Sequence, residues 1–283
     1  MCAFPRPSAR EKVREGPLGW SAMDLGGLLA PTVERGAVWS VQVRRAGGDA
    51  LAEHEPERLL RTASVGKVYL LMRVAELIEA GELDPGELLD RDRAPAVADS
   101  GLWQHLETRR LPVADVARLV GTVSDNWATN ALLKRVGIKS LPSGRRGSAL
   151  HDYVRDERGP RHPPTLSEGC AADWIDAFLG LPGGSPVLDW ISLGVDLSMV
   201  GSAFGLDPLA HQEPDRGVRL WSKTGTSEGV RADVGLVEIA SQAGGQRTAY
   251  AAICNWPPDG EDLRDEVLAA MRGLGFAFRE PLV

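Results

Sequence analysis

Strand-forming sequence stands at both ends of this chain and helix-forming sequence fills its middle, and this division limits the fold more than any other feature. "AVWSVQVRRA" (37–46) and "DALAEHE" (49–55) meet at Gly47-Gly48 and read as a hairpin of two strands. Strand character returns only in "GVRLWSKTGT" (217–226), "VRADVGLVEIA" (230–240) and "TAYAAICNW" (248–256), each bounded by Gly, Pro or polar turns. Strands must pair, so the two ends are expected to share one antiparallel sheet of about five strands. Between them, from Ser64 to near Ala210, the pattern is helical: "SVGKVYLLMRVAELIEAG" runs to a terminating Gly81, and "PVADVARLVGTVSDNWATNALLKRVG" gives two helices broken around Ser124. A short helix is expected near Asp24 to Arg35, and "EDLRDEVLAAMRGLG" closes the chain as an amphipathic helix. The expected class is α/β in the α+β arrangement. Residues 23–61 with 216–283 are expected to form an α/β lobe whose sheet is flanked by the terminal helices, and residues 62–215 an inserted all-helical lobe, with the active site expected between the two.

The chain has 283 residues, 43% of them hydrophobic, enough to bury a sizeable core. Its net charge of −7 argues against general affinity for nucleic acid or anionic membrane, because such binding needs a basic surface. A small molecule is the expected partner. Cys2, Cys170 and Cys254 are scattered, odd in number and not at metal-ligand spacing, so neither a disulfide framework nor a metal site is expected. The first 22 residues are Pro/Arg-rich and read as a disordered leader without a secretory apolar stretch, and no later segment approaches a membrane span, which implies a cytoplasmic address. No cofactor is implied, and a monomer is expected.

"TASVGK" (62–67) raises the question of chemistry. A phosphate-cradling loop needs an earlier glycine at fixed spacing and a Ser or Thr after the lysine to hold magnesium; no such glycine precedes, and Val68 follows Lys67. A nucleophilic serine makes a different demand: a helix N-terminus, where free N–H groups favour developing negative charge, and an amine one turn on. Ser64 and Lys67, at i and i+3, meet it. A lysine desolvated against "YLLM" disfavours its ammonium form, which suits a proton acceptor. Alone, Ser-x-x-Lys is a weak signal. Two companions strengthen it: "SDN" (124–126) at the break between two helices, and "KTG" (223–225) on a strand that runs into a turn. The chain holds 5 lysines against 27 arginines, so two lysines at motif positions weigh more than usual.

The trio "SVGK", "SDN" and "KTG", in this order, resembles the motif set of class A β-lactamases and penicillin-binding proteins. The resemblance runs from about Asp24 to the final helix, is closest to the class A branch, and implies a β-lactamase/transpeptidase-like fold. It implies Ser64 as nucleophile, Lys67 as its base and Ser124 as proton donor to the leaving atom. Asn126 would hold a substrate amide and touch Lys67, while Lys223, Thr224 and Thr226 would bind a substrate carboxylate. The N–H groups of Ser64 and Thr226 would form the oxyanion hole. Gly225 would leave room for substrate along the strand. Asn130 resembles a family asparagine that supports the neighbouring loop.

The chain departs from class A in one respect. Those enzymes carry, between "SDN" and "KTG", a glutamate that activates the deacylating water, usually in Glu-x-x-Leu-Asn. The matching stretch here, "ALHDYVRDERGPRHPPTLSEG" (149–169), lacks that pattern. Aligning on "TLSEGCAADW" puts Leu150 near the glutamate's place and leaves His151, Asp152, Glu157 and Glu168 as candidate substitutes, each of which also reads as an ordinary charge on a solvated loop. The expectation is a serine hydrolase acting through an acyl-enzyme on a small amide or ester that bears a carboxylate, with β-lactam hydrolysis slowed at release. The alternatives are an esterase, amidase or acyltransferase on another metabolite, or a penicillin-binding module that acylates without efficient turnover. His54, His105, His162 and His211 show no metal spacing. Trp103 reads either as the mouth of the site or as packed core. Arg231 and Asp233 could pair across a hairpin, or Arg231 could meet an anionic substrate.

Overall fold

The structure, a computed structural model, describes residues 25–215, 217–239 and 246–279; the expected leader lies outside them. In chain order, helix α1 (Leu25–Val33) is followed by strands β1 (Val38–Arg45), β2 (Ala50–His54) and β3 (Leu60–Arg61), then helix α2 (Lys67–Glu79) and strands β4 (Leu88–Asp90) and β5 (Arg110–Pro112). Helices α3 (Val113–Val123) and α4 (Asn126–Val136) precede strands β6 (Ala149–Leu150) and β7 (Ser167–Gly169) and helices α5 (Ala171–Leu179) and α6 (Pro186–Ile191). Strands β8 (Val218–Ser227), β9 (Val230–Ile239) and β10 (Gln246–Asn255) and helix α7 (Arg264–Arg279) complete the chain.

The two ends do share one five-stranded antiparallel sheet, in the order β2-β1-β10-β9-β8. Both its faces are covered, which is why β9 is buried almost throughout instead of alternating. On one face Trp221, Ala232, Val234 and Ile253 join a core with α2, α3, α4 and α5; on the other Leu220, Val237, Ala252 and Cys254 join α1, α7 and the turn at Val200–Phe204. Leu70 and Leu71 of α2 are fully buried, and each contributes about 1.5–3 kcal/mol by leaving water. Tyr69 of α2 stacks on Trp174 of α5 with ring centroids 4.6 Å apart. Trp103 is fully buried in this core and is no mouth residue.

The middle of the chain is not purely helical. Strands β3, β7 and β6 form a small second sheet and β4 pairs with β5. These strands have two or three residues each, too few to carry a period in the sequence. The turn at Val200–Phe204 and helix α5 also belong to the stretch 62–215, yet α5 packs on the large sheet and the turn packs on α7. Among the described residues no helix is long and apolar enough to cross a membrane.

Candidate active site

Ser64 sits in a 3-10 turn, Ala63–Gly66, that leads directly into α2. Ser167 of the small sheet holds that turn from behind: its hydroxyl donates to the Ala63 carbonyl at 2.5 Å, and its carbonyl accepts from Thr62 N at 3.1 Å. Gly66 is required there, because a Cβ at that position would stand 2.4 Å from the Ser167 Cβ. On the other side runs the edge strand β8. A Cβ on Gly225 would lie 2.1 Å from the Thr62 carbonyl oxygen and 3.2 Å from Ser64 N, so the glycine lets the strand approach the serine's own turn.

The second serine is positioned by its backbone. Helix α3 ends at Val123, and Ser124 takes a left-handed conformation, φ 55°, as the chain turns into α4. Asp125 caps α4 by accepting from Ala128 N at 2.8 Å and also accepts from Leu102 N and Trp103 N at 2.8 and 2.7 Å. This middle residue of "SDN" therefore ties the loop around residue 100 to the site. Asn126 reaches the same loop, since its Nδ2 donates to the Ala98 carbonyl and its N–H to that of Ser100.

Lys67 is fully buried, and its Nζ donates to the Ser124 carbonyl (2.7 Å), the Ser124 hydroxyl (3.2 Å) and Asn126 Oδ1 (2.8 Å). Three donors meet three acceptors. Burial nevertheless drives its pKa well below the ordinary lysine value, and the charge of Lys223 pushes the same way against Asp125 and Asp99. Lys223 is also buried; its Nζ donates to the Thr224 carbonyl at 2.8 Å, and burial lowers its pKa to about 8 against the pull of Asp196 and Asp233. Two adjoining hollows, of about 420 and 160 Å³, share Ser64, Ser100 and Thr226 as lining. Ser124, Lys223 and Thr224 line the smaller, and Asn126 and Arg61 the larger. Among the described residues, three of the four non-glycine residues with positive φ, Ala63, Asp99 and Ser124, line these hollows, and strain of about 1–3 kcal/mol each is typical of functional sites.

The four candidate release bases are placed differently, and none lines either hollow. The Asp152 carboxylate accepts from Arg155 Nε at 2.8 Å, Arg158 Nη1 at 2.8 Å and Tyr153 N at 2.8 Å. Its burial would raise the pKa, but Arg155, the Tyr153 amide and Arg158 hold it below the usual carboxylate value. His151 Nε2 faces Glu168 at 3.4 Å, and Glu157 is exposed. Leu150 is buried in the core. Asn130 braces this loop, with Nδ2 donating to the Pro95 and Val154 carbonyls and Oδ1 accepting from Val154 N. The carboxylates that do line the larger hollow are Asp99 and Asp156. Neither was marked by the motifs; for Asp99 the only sequence cue is its place in the turn-like "ADSG". Arg231 and Asp233 do not pair. Asp233 accepts from the Tyr250 hydroxyl at 3.0 Å, and burial pushes its pKa up to about 7, while Arg231 donates to the Ser227 and Val230 carbonyls and lies over Trp256. Among the described residues no cluster of potential metal ligands occurs.

The family described as "Beta-lactamase enzyme family" matches residues 28–266. No curated protein matches the chain. Among solved structures, the β-lactamase of Sphaerobacter thermophilus superposes with a TM-score of 0.72 at 22% identity, over 93% of this chain and 97% of that one. The protein PBP-A superposes with a TM-score of 0.66 at 19% identity, over 91% and 97%. A PBP-A variant in which a leucine is replaced by glutamate, in acyl-enzyme complex with penicillin G, gives 0.66 and 19% over 90% and 96%. At these identities the likeness is one of fold.

Proposed function

Because the chain belongs to the β-lactamase enzyme family, with a match spanning residues 28–266, we propose that it is a serine hydrolase that forms an acyl-enzyme at Ser64 on a small amide or ester, with a β-lactam as the first substrate to test. The observation that carries this reading is the buried Lys67, one turn from Ser64, bonded to Ser124 and Asn126 and driven toward its neutral form.

Neutral Lys67 takes the proton from the Ser64 hydroxyl as Oγ attacks the substrate carbonyl. The negative charge that develops on the carbonyl oxygen is met by the N–H groups of Ser64 and Thr226, which the approach of Gly225 to the Ser64 turn supports. Ser124 then gives its proton to the leaving nitrogen or oxygen and recovers one from Lys67, to which it is bonded. Lys223, Thr224 and Thr226 bind the carboxylate of the departing portion; a lysine with a pKa near 8 is largely charged at neutral pH.

Release needs a base that aims water at the acyl-enzyme, and such a base contributes about 10²–10⁴-fold. None of His151, Asp152, Glu157 and Glu168 lines the hollow at Ser64. This placement favours a second reading, a penicillin-binding module that acylates without efficient turnover, and the fold neighbour seen in complex with penicillin G makes that drug the natural probe. Mixing the protein with excess penicillin G should give a burst of one equivalent followed by slow turnover, with an adduct mass persisting for minutes. Fast hydrolysis without an adduct would contradict slow release. No adduct and no hydrolysis would move the assignment to an esterase or acyltransferase on another metabolite.

A further inference from the structure

We propose that Arg61 reads an anionic group on the acyl portion of the substrate, so that the preferred acyl donors carry a second carboxylate on the acyl chain. The inference rests on Ser64 as the nucleophile and adds the substrate class.

Arg61 lies three residues before Ser64 and lines the larger hollow with it. Its backbone is fixed from both directions by one side chain: Asn255 Oδ1 accepts from Arg61 N at 2.9 Å, and Asn255 Nδ2 donates to the Arg61 carbonyl at 2.9 Å. The guanidinium itself is poorly used. Among the described residues its one hydrogen bond goes to the Gly229 carbonyl at 3.4 Å, and it forms no ion pair. The other two arginines of this hollow, Arg155 and Arg158, both bind Asp152 at 2.8 Å. Glu168 is the register partner of Arg61 across β3 and β7, but its carboxylate faces His151 instead. A half-buried guanidinium on a fixed backbone, without a carboxylate, is a ready partner for one, since its planar donors match the two oxygens.

The division of the site says which end of the substrate bears that charge. Ser64 lines both hollows, Ser124 and Lys223 only the smaller one and Arg61 only the larger. With the scissile bond at Ser64 and the leaving atom facing Ser124, the departing portion occupies the Lys223 side and the acyl chain extends toward Arg61. Two acids also line the larger hollow. Asp99 lies on the segment bonded to Asn126, Asp156 is exposed, and neither pairs with Arg61.

The test compares mono-p-nitrophenyl adipate with p-nitrophenyl hexanoate, acyl chains of equal length that differ by the terminal carboxylate, after subtraction of spontaneous hydrolysis. Wild-type protein should favour the adipate in kcat/KM by about 10- to 100-fold, the range of a charge-assisted hydrogen bond. The ratio should collapse in Arg61→Gln and recover in part in Arg61→Lys. A ratio near one in the wild type, or an unchanged ratio in Arg61→Gln, overturns the proposal. Binding to the Ser64→Ala protein separates this from the hydrolase reading itself: calorimetry should detect adipate more strongly than hexanoate, with the difference lost in Ser64→Ala/Arg61→Gln. If neither ester is hydrolysed but that difference holds, the serine chemistry fails and the anion site stands; absence of the difference overturns the site.

Discussion

The Ser64 turn and the loop from Leu150 to Glu168 pack on each other, yet they spend their polar groups in opposite ways. At the turn, the buried amine of Lys67 is bonded to the Ser124 hydroxyl, which lines the smaller hollow, and to Asn126, which lines the larger. In the loop, Asp152 is held by Arg155 and Arg158, Glu168 faces His151, and the position aligned with the release glutamate of class A is the buried Leu150. One region presents its two serines to a cavity; the other holds its buried carboxylate, Asp152, with arginines of its own. Capture of a substrate and release of a product therefore need not be equally developed in this chain.

The contrast breaks most severely at the serine. Ser64→Ala should abolish labelling by penicillin G or by a serine-reactive fluorophosphonate, and Lys67→Ala should slow it by at least about 10²-fold, the contribution of a positioned base. The labelling rate should also fall as pH drops, because Lys67 acts as base only when neutral, and burial places that transition well below the ordinary lysine value. Intact mass measured against time reads both. Labelling of Ser64→Ala at the wild-type rate would remove the assignment.

The complementary change adds to the loop what it lacks. Leu150→Glu should shorten the lifetime of a penicillin adduct by about 10²-fold, the lower range for a positioned base. Leu150 is 5% exposed, and its Cδ1 would lie 3.2 Å from a Cβ on Gly66, which places it behind the Ser64 turn. A carboxylate there is costly to bury, so some loss of stability should accompany the gain. An unchanged adduct lifetime in a folded variant would show that release is limited by something other than the missing acid.

These regions were also unequally legible in the sequence. Ser64 and Lys67 stand one turn apart, and local spacing is what a sequence displays; the long strands and α2, α3 and α4 follow from periodicity in the same way. The strands β3, β6 and β7, which brace the serine turn, are too short to show a pattern. Gly225 was expected to make room for substrate, and in the fold it makes room for the Thr62 carbonyl. Asp99 lies 35 residues from Ser64 and Asp156 92, so only the closed fold brings them to one hollow. Asp152 looked available because its partners, three and six residues on, were indistinguishable from other arginines on a charged loop.

A smaller effect is expected on the carboxylate side of the hollows. Lys223→Ala should lower kcat/KM for carboxylate-bearing substrates by about 10- to 100-fold more than for neutral esters, as loss of a charge-assisted hydrogen bond implies. With a pKa near 8, the lysine loses its charge as pH rises through that value, so KM for anionic substrates should climb above pH 8 in the wild type. The same rise in Lys223→Ala would assign the titration to another group.

The smallest expected change in chemistry comes with a change in stability, and it tests whether the loop's charges are structural. Asp152 is nearly buried, and its carboxyl lies below the ordinary value because Arg155, the Tyr153 amide and Arg158 outweigh the cost of burial. Its folded pKa is thus depressed relative to the unfolded chain, so its contribution is complete above the ordinary carboxylate value of about 4 and is lost as pH falls through the depressed one. Asp152→Asn should accordingly cost about 1–3 kcal/mol in urea unfolding at pH 7, a figure kept below that of a fully buried pair because both arginines remain partly exposed. The difference from wild type should shrink below pH 4. Adduct lifetime should change by no more than about 2-fold, since no release step passes through this group if it serves the loop; a positioned base would give about 10²-fold or more. An adduct that lives far longer in Asp152→Asn, at unchanged burst rate, would make Asp152 the release base and erase the contrast between the two regions.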